Sequence, residues 1–296
     1  MRSKIRSISR ADTLHPRHQS NTNTLPSSEI YTPNADFFTQ PVRHIPEINA
    51  DYWSLMLAGA VDIPLLLSYQ DLLALPQTEI SCTVACGGHQ PGGNMIGHAR
   101  WRGVNFKEIL QAVHIRPQAA YARFYAADGY VTSLPLDQTA DLLIAHQMNN
   151  APLAPEHGFP ARLVAPGLYG YKMPRWLRRI ELAEHPALSP WEKRGWPQIG
   201  AAQTTISITS PTQHIPAQTI EISGFAYGGN QPLSAIDVSI DDGPWMPVSF
   251  QAPASLSWAP WSIHWFAASP GSYQVAARAI NTAEQSATHT IIFDIR

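Results

Sequence analysis

An α+β domain with a mixed sheet, followed by an all-β sandwich, is the fold class this sequence predicts. Between Tyr31 and about Ala183, short strand-like and helical segments mix without the strict alternation of a doubly wound sheet. Beyond Thr204, short alternating segments recur between Pro-, Gly- and Asn-rich turns, the texture of a sandwich. At 296 residues with 44% hydrophobic and 14% charged residues, the chain has enough apolar material for two cores.

The elements follow in order. Tyr31-Thr32-Pro33-Asn34-Ala35-Asp36-Phe37-Phe38 reads as a turn leading into an apolar anchor. Tyr52 to Gly59 is a predicted strand, turned by Gly59-Ala60-Val61-Asp62. Ser68 caps a predicted short helix that Pro76 stops by Leu75. Glu79 to Cys86 is a strand, and Asn105 to Val113 a helix with Phe106, Ile109, Leu110 and Val113 on one stripe. Ala122–Ala126 and Val131–Leu134 read as strands, and the stretch around Gln138 to Ala145 as a helix. Ala161–Ala165 and Leu177–Leu182 complete the first domain as strands. From about Glu184 the pattern loosens around Pro186, Pro190 and Pro197, and Trp191 and Trp196 imply a linker that packs on something. Thr204–Thr209, Gln218–Tyr227, Ile236–Asp241, Trp258–Phe266, Tyr273–Asn281 and Thr288–Ile295 then space out an immunoglobulin-like sandwich. The expected division is a flexible tail over 1–30, a first domain over 31–188, a linker over 189–203 and the sandwich over 204–296.

Charge excludes some partners. A net charge of −2 with pI near 6.6 gives no reason to expect nucleic acid or an anionic membrane. No apolar run approaches the ~20 residues of a membrane span. The basic, polar start with Arg2, Lys4, Arg6, Arg10 and Arg17 lacks the apolar stretch of a secretory signal. A flexible tail on a cytoplasmic protein is the favoured reading; a periplasmic chain whose leader was removed and an organelle-targeting sequence are the alternatives.

The cysteines are Cys82 and Cys86. On an extended strand their α-carbons stand roughly 13 Å apart, and a disulfide needs less than about 7 Å. They do not bridge, and no further Cys or His cluster shows zinc-ligand spacing. Cys86 ends the run Thr83-Val84-Ala85-Cys86-Gly87-Gly88-His89, where a strand breaks into glycines. Its thiolate is a soft ligand and a good electron donor, although free cysteine is also among the most buried residue types. The glycines would let backbone approach a bulky group closely.

Five further segments follow Cys86 in order: Gly97-His98-Ala99-Arg100-Trp101-Arg102-Gly103, Asp128-Gly129-Tyr130 through Ser133-Leu134-Pro135, His146 to Leu153, His157-Gly158-Phe159-Pro160-Ala161-Arg162, and Gly170-Tyr171-Lys172-Met173-Pro174-Arg175-Trp176. The series resembles the molybdopterin domain of the sulfite oxidase family, which includes the molybdenum domain of plant nitrate reductase. The resemblance runs from about Tyr31 to the C-terminus. Phe225-Ala226-Tyr227-Gly228-Gly229 and Trp261-Ser262-Ile263-His264-Trp265 resemble that family's C-terminal dimerisation domain. A homodimer is therefore expected, with a plain accessory sandwich as the alternative.

The resemblance implies a molybdenum ion held by molybdopterin sulfurs and by one thiolate, at the position of Cys86. Cys82 has no counterpart and reads as core. His157 and Arg162 fall on the family's His-Gly-x-Pro-x-Arg motif, and Lys172 and Arg175 on its basic segment, all as cofactor contacts. The alternative for these cations is a set of surface charges beside a tight turn. Tyr130 fits the active-site tyrosine that precedes a Ser-x-Pro segment, or else a packed strand tyrosine. The family's Arg-x-His after its Phe-Phe pair falls here on Gln40 and Val42, with Arg43 and His44 next in line to supply the cation. His89 and Gln90 replace an Asn-Arg pair, leaving His89 as a neutral cofactor contact.

The leading expectation is a molybdenum oxidoreductase that oxidises sulfite, a small oxyanion. Cys86 would hold the metal, Tyr130 would orient an oxygen or the anion, and Arg43 or Lys172 would supply positive potential. No haem-attachment or flavin motif is present, so electrons would pass to a separate cytochrome, another acceptor or oxygen. Because the substrate arginine is replaced, an S-oxide or N-oxide reductase is a second expectation. A cofactor-binding protein without turnover is a third, and a cysteine hydrolase using Cys86 and His89 a weaker fourth.

Overall fold

The computed structural model of the chain describes residues 31–40, 44–212, 219–251, 253 and 256–295. The expected N-terminal tail and Arg43 lie outside them. Strands β1 (Ser54–Gly59) and β2 (Leu65–Ser68) precede helix α1 (Tyr69–Ala74), and β3 (Thr78–Ala85) and β4 (Ile96–Asn105) precede α2 (Phe106–Gln111). Strands β5 (Tyr121–Ala126), β6 (Val131–Pro135), β7 (Leu143–Met148), β8 (Ala151–Pro152), β9 (Arg162–Val164) and β10 (Leu177–Ala183) complete the first unit. One sheet runs β2-β1-β10-β5-β6, and the other runs β3-β4-β7-β8 with β9 also paired to β7. The β1–β10 pair is parallel and its neighbours are antiparallel, so the sheet is mixed, as expected.

Local chemistry sets the helix starts. In α1 the Ser68 hydroxyl accepts the Asp71 N–H at 3.1 Å and the Asp71 carboxylate accepts the Ser68 N–H at 2.9 Å, a reciprocal cap. Asn105 caps α2 by accepting the Lys107 N–H at 2.8 Å. The helix expected around Gln138 to Ala145 does not form. A 3-10 turn at Leu136–Gln138 leads instead into β7. The run Leu142-Leu143-Ile144-Ala145 is apolar on every side, so periodicity cannot separate strand from helix there. Pairing decides it, because β7 is held by β4 and β9 and is buried on both faces. Strand β4 also went unanticipated, since Gly97 and Gly103 weaken its strand signature. A side chain at Gly103 would collide with the Ile144 carbonyl of β7.

The second unit comprises β11 (Thr205–Ser210), β12 (Thr219–Tyr227), β13 (Leu233–Ile240), β14 (Met246–Pro247), β15 (Ala259–Phe266), β16 (Gly271–Asn281) and β17 (Ser286–Ile295). Sheets β11-β12-β15 and β14-β13-β16-β17 share one core that includes Ile206, Ile222, Val238, Val275 and Phe293. Among the described residues no helix is long and apolar enough to cross a membrane.

The seam between the units matters for the site. Ala85 and Ile96 of the first unit cluster with Phe225, Tyr227 and Trp258 of the second. The Trp258 N–H donates to the Thr83 hydroxyl at 2.9 Å. The end of β3, immediately before Cys86, is thus clamped by residues of the second unit.

His98 in β4 is part of this clamp. Its Nδ1 lies 2.9 Å from the Thr83 hydroxyl, its ring stacks on Tyr31 at 5.2 Å and tilts against Trp258 at 5.7 Å. Burial pulls its pKa from 6.5 down to about 4. The unfolded chain therefore takes up a proton first as pH falls, and the stability from neutral His98 is lost between about pH 6.5 and 4. A difference of that size is worth on the order of 3 kcal/mol at the acid end. Replacing His98 by Gln is expected to flatten the dependence of Tm on pH across that window. An unchanged slope in thermal scans would contradict this.

Candidate active site

Strand β3 brings its last four residues into the core and delivers Cys86 to the wall of a cavity of about 300 Å³, a size suited to a small organic ligand. The Cys86 N–H donates to the Met95 carbonyl and the Cys86 carbonyl accepts the His89 N–H, both at 2.9 Å, which closes the Gly87-Gly88 turn. The thiol accepts the Gln40 side-chain amide at 3.1 Å, and the same amide points to the Met95 sulfur at 3.4 Å. Burial raises the Cys86 pKa, against smaller opposing effects of the Gly88 backbone and Gln40. A metal that took this sulfur would therefore displace a proton.

Tyr130, His157, Arg162 and Arg175 line the same cavity as Cys86. The Tyr130 hydroxyl donates to the Tyr171 carbonyl at 2.7 Å. Burial, chiefly, holds its pKa well above the ordinary tyrosine value, so it remains a protonated donor. The His157 Nε2–H donates to the Asn34 carbonyl at 2.9 Å, and desolvation, chiefly, lowers its pKa. His157 thus holds the N-terminal segment that carries Gln40.

Arg162 and Arg175 carry the electrostatics. Arg162 is 6% exposed, lies over the Trp101 ring at 5.0 Å and donates to the His157 carbonyl at 3.1 Å. Burial and then Arg175 lower its pKa to about 9, which leaves it charged at neutral pH. Arg175 lies over Trp176 at 4.4 Å and donates to the carbonyls of Glu156 at 2.7 Å and Gln40 at 3.0 Å. Among the described residues neither guanidinium forms an ion pair with a carboxylate. Asp128 in the same wall partly offsets Arg175, yet cations without a direct carboxylate partner are costly in a desolvated site. They ask for an anionic ligand.

Other expected contacts need correction. Lys172 is not a cavity residue: it is fully buried, with its ammonium on Glu192 at 2.7 Å and on the carbonyls of Ser133 and Gln198. Its three donors are used, so it neither holds a cofactor phosphate nor projects charge to a substrate. His89 turns away, its Nε2 lying 3.2 Å from the Thr205 hydroxyl across the seam. His44 is exposed and does not line the cavity. Gly87 serves a purpose the sequence did not reveal, because a Cβ there would collide with the Trp196 ring. Trp191, Arg194 and Trp196 come from the segment read as a linker, and they form part of the wall.

Among the described residues Cys86 is the one thiol that lines the cavity. Among the described residues no group of three or more His, Cys, Asp or Glu could hold a metal ion. A metal here needs its remaining donors from a cofactor, and an anionic pterin dithiolene provides sulfur donors for the metal and negative charge for the arginines. The residues present fit it.

A family model described as the oxidoreductase molybdopterin-binding domain matches residues 42–191. The chain belongs to the molybdopterin-binding oxidoreductases. It is an oxidoreductase whose cofactor is molybdenum carried by molybdopterin. It is 34% identical over 177 residues to the uncharacterized oxidoreductase YuiH of Bacillus subtilis (strain 168), covering 57% of this chain and 86% of that one. It is 30% identical over 259 residues to the mitochondrial sulfite oxidase of Rattus norvegicus, covering 72% of this chain and 47% of that one. The chain thus spans about half the length of the mitochondrial sulfite oxidases it matches. The crystal structure of the sulfane dehydrogenase SoxCD from Paracoccus pantotrophus superposes with a TM-score of 0.78 at 24% identity, over 87% of this chain and 74% of that one. The fold is shared.

Proposed function

We propose that this molybdopterin-binding oxidoreductase converts sulfite and water to sulfate, releasing a pair of protons and passing an electron pair to a separate acceptor such as a cytochrome. The observation that carries the reading is the joining, in one cavity, of the Cys86 thiol with the guanidiniums of Arg162 and Arg175, neither of them ion-paired among the described residues. Bound molybdopterin would supply the metal and the oxygen-atom transfer chemistry. Cys86 would hold the metal, and Arg162 and Arg175 would hold the cofactor's anionic portion through their planar forks. Tyr130 would keep its proton, now held by the Tyr171 carbonyl, and would turn it to an oxyanion by giving up that bond. Trp191 and Trp196, packed at 4.9 Å, would exclude water from the cavity mouth. The C-terminal sandwich is read as an immunoglobulin-like unit that forms a homodimer.

Gln40 favours a second reading. Its neutral amide, bonded to the Cys86 sulfur, stands where the resemblance leads one to expect an arginine, and a neutral S-oxide needs no countercharge. Steady-state rates separate the readings. The purified holoenzyme is expected to oxidise sulfite with an artificial electron acceptor and to leave methionine sulfoxide unreduced with a viologen donor. Sulfoxide reduction without sulfite oxidation would reverse the assignment.

A further inference from the structure

We infer that Arg194, on the connecting segment between the units, is the residue that binds the substrate anion and replaces the cation missing at Gln40. The inference rests on the oxyanion reading of the cavity and names the group that would recognise the oxyanion.

Among the described residues three guanidiniums line the cavity, those of Arg162, Arg175 and Arg194. Arg162 and Arg175 already donate to backbone carbonyls. Arg194 differs. Its guanidinium lies over the Trp191 ring at 5.3 Å, and among the described residues no carboxylate or carbonyl takes its N–H groups. It is exposed at the cavity mouth. Stacking on an aromatic face orients a guanidinium while leaving its in-plane donors open. Such a fork suits a small oxyanion.

The backbone beneath Arg194 is fixed. A 3-10 turn spans Glu192–Arg194 and ends at Gly195, whose φ is 96°. Glu192 is anchored by Lys172 at 2.7 Å and by the Ser189 N–H at 2.6 Å. Trp196, on the far side of the turn, packs on Gly87 beside Cys86. The segment that carries Arg194 is therefore bolted to the core on one side and to the cysteine turn on the other. The side chain alone is free to meet a ligand. A buried ammonium–carboxylate pair, an aromatic stack and an open guanidinium form one positioning device.

The test uses the molybdenum-loaded full chain and the variants Arg194→Ala and Arg194→Lys, with metal content measured on each. Losing a charge-assisted hydrogen bond predicts a rise in KM for sulfite of roughly 10–100-fold in Arg194→Ala, with kcat changed less than about threefold. Sulfate, measured as a competitive inhibitor and by calorimetry, is expected to weaken in parallel. Arg194→Lys should recover part of the loss. Wild-type turnover of sulfite with an unaltered KM and sulfate affinity in Arg194→Ala overturns the inference and leaves the sulfite reading standing. If wild type does not oxidise sulfite, that reading falls and calorimetry decides. Sulfate binding that is lost in Arg194→Ala then supports the anion site, whereas absent or unchanged binding overturns it.

Discussion

Cys86→Ser is expected to abolish turnover while the protein remains folded. The side chain is only partly buried and sits at a turn held by main-chain bonds to Met95 and His89, so a serine fits the same space. What changes is the chemistry. A thiolate is a soft, polarizable donor, and a serine hydroxyl keeps its proton near neutral pH. Losing an outer partner of a metal ligand typically costs ~10–100-fold in affinity or activity, and losing the protein's own ligand should exceed that. Circular dichroism and thermal scans should match wild type while sulfite turnover disappears. Normal turnover by this variant would remove the cysteine from the account.

The largest expected effect on stability falls on a residue outside the cavity. Lys172 and Glu192 have side chains 0% and 1% exposed and meet at 2.7 Å. Burial lowers the Lys172 pKa and Glu192 opposes that shift. Lys172→Met leaves the Glu192 carboxylate inside the protein with the Ser189 N–H at 2.6 Å and the Thr132 hydroxyl at 3.3 Å as its remaining donors. Removing one partner of a buried pair costs about 3–5 kcal/mol, which lowers Tm by roughly 10 °C in a chain of this size. Removing both charges is far cheaper, so Lys172→Met with Glu192→Gln should recover much of the loss. A single variant with wild-type Tm would contradict the pairing. Equal losses in the single and double variants would contradict the coupling.

Which features the sequence revealed follows from how local they are. Cys86 was legible because a strand, a glycine pair and a scarce residue type coincide within a few positions. His157 and Arg162 sit in one short motif, and both reach the cavity. Lys172 and Arg175 looked alike in the sequence because direction is invisible there. The 3-10 turn Gly170–Lys172 sends the lysine into the core, whereas Arg175, just beyond it, faces the cavity. His89 was misplaced for a similar reason, since the glycine turn aims it at Thr205 of the other unit. Arg194 was missed because prolines and tryptophans made its segment look like a connection. What gives it a role is the long-range packing of Trp196 on Gly87 and of Glu192 on Lys172. The helix expected around Gln138–Ala145 failed because its apolar half, residues 142–145, carries no period, and pairing with β4 and β9 overrides propensity.

The central claim is that the Cys86 sulfur binds molybdenum. Molybdenum X-ray absorption on the loaded wild-type chain and on Cys86→Ser tests it without relying on turnover. The account predicts that the variant, where it retains metal, loses one sulfur from the first coordination sphere and gains a light-atom neighbour. An identical sulfur shell in both proteins, at equal molybdenum content, would contradict it.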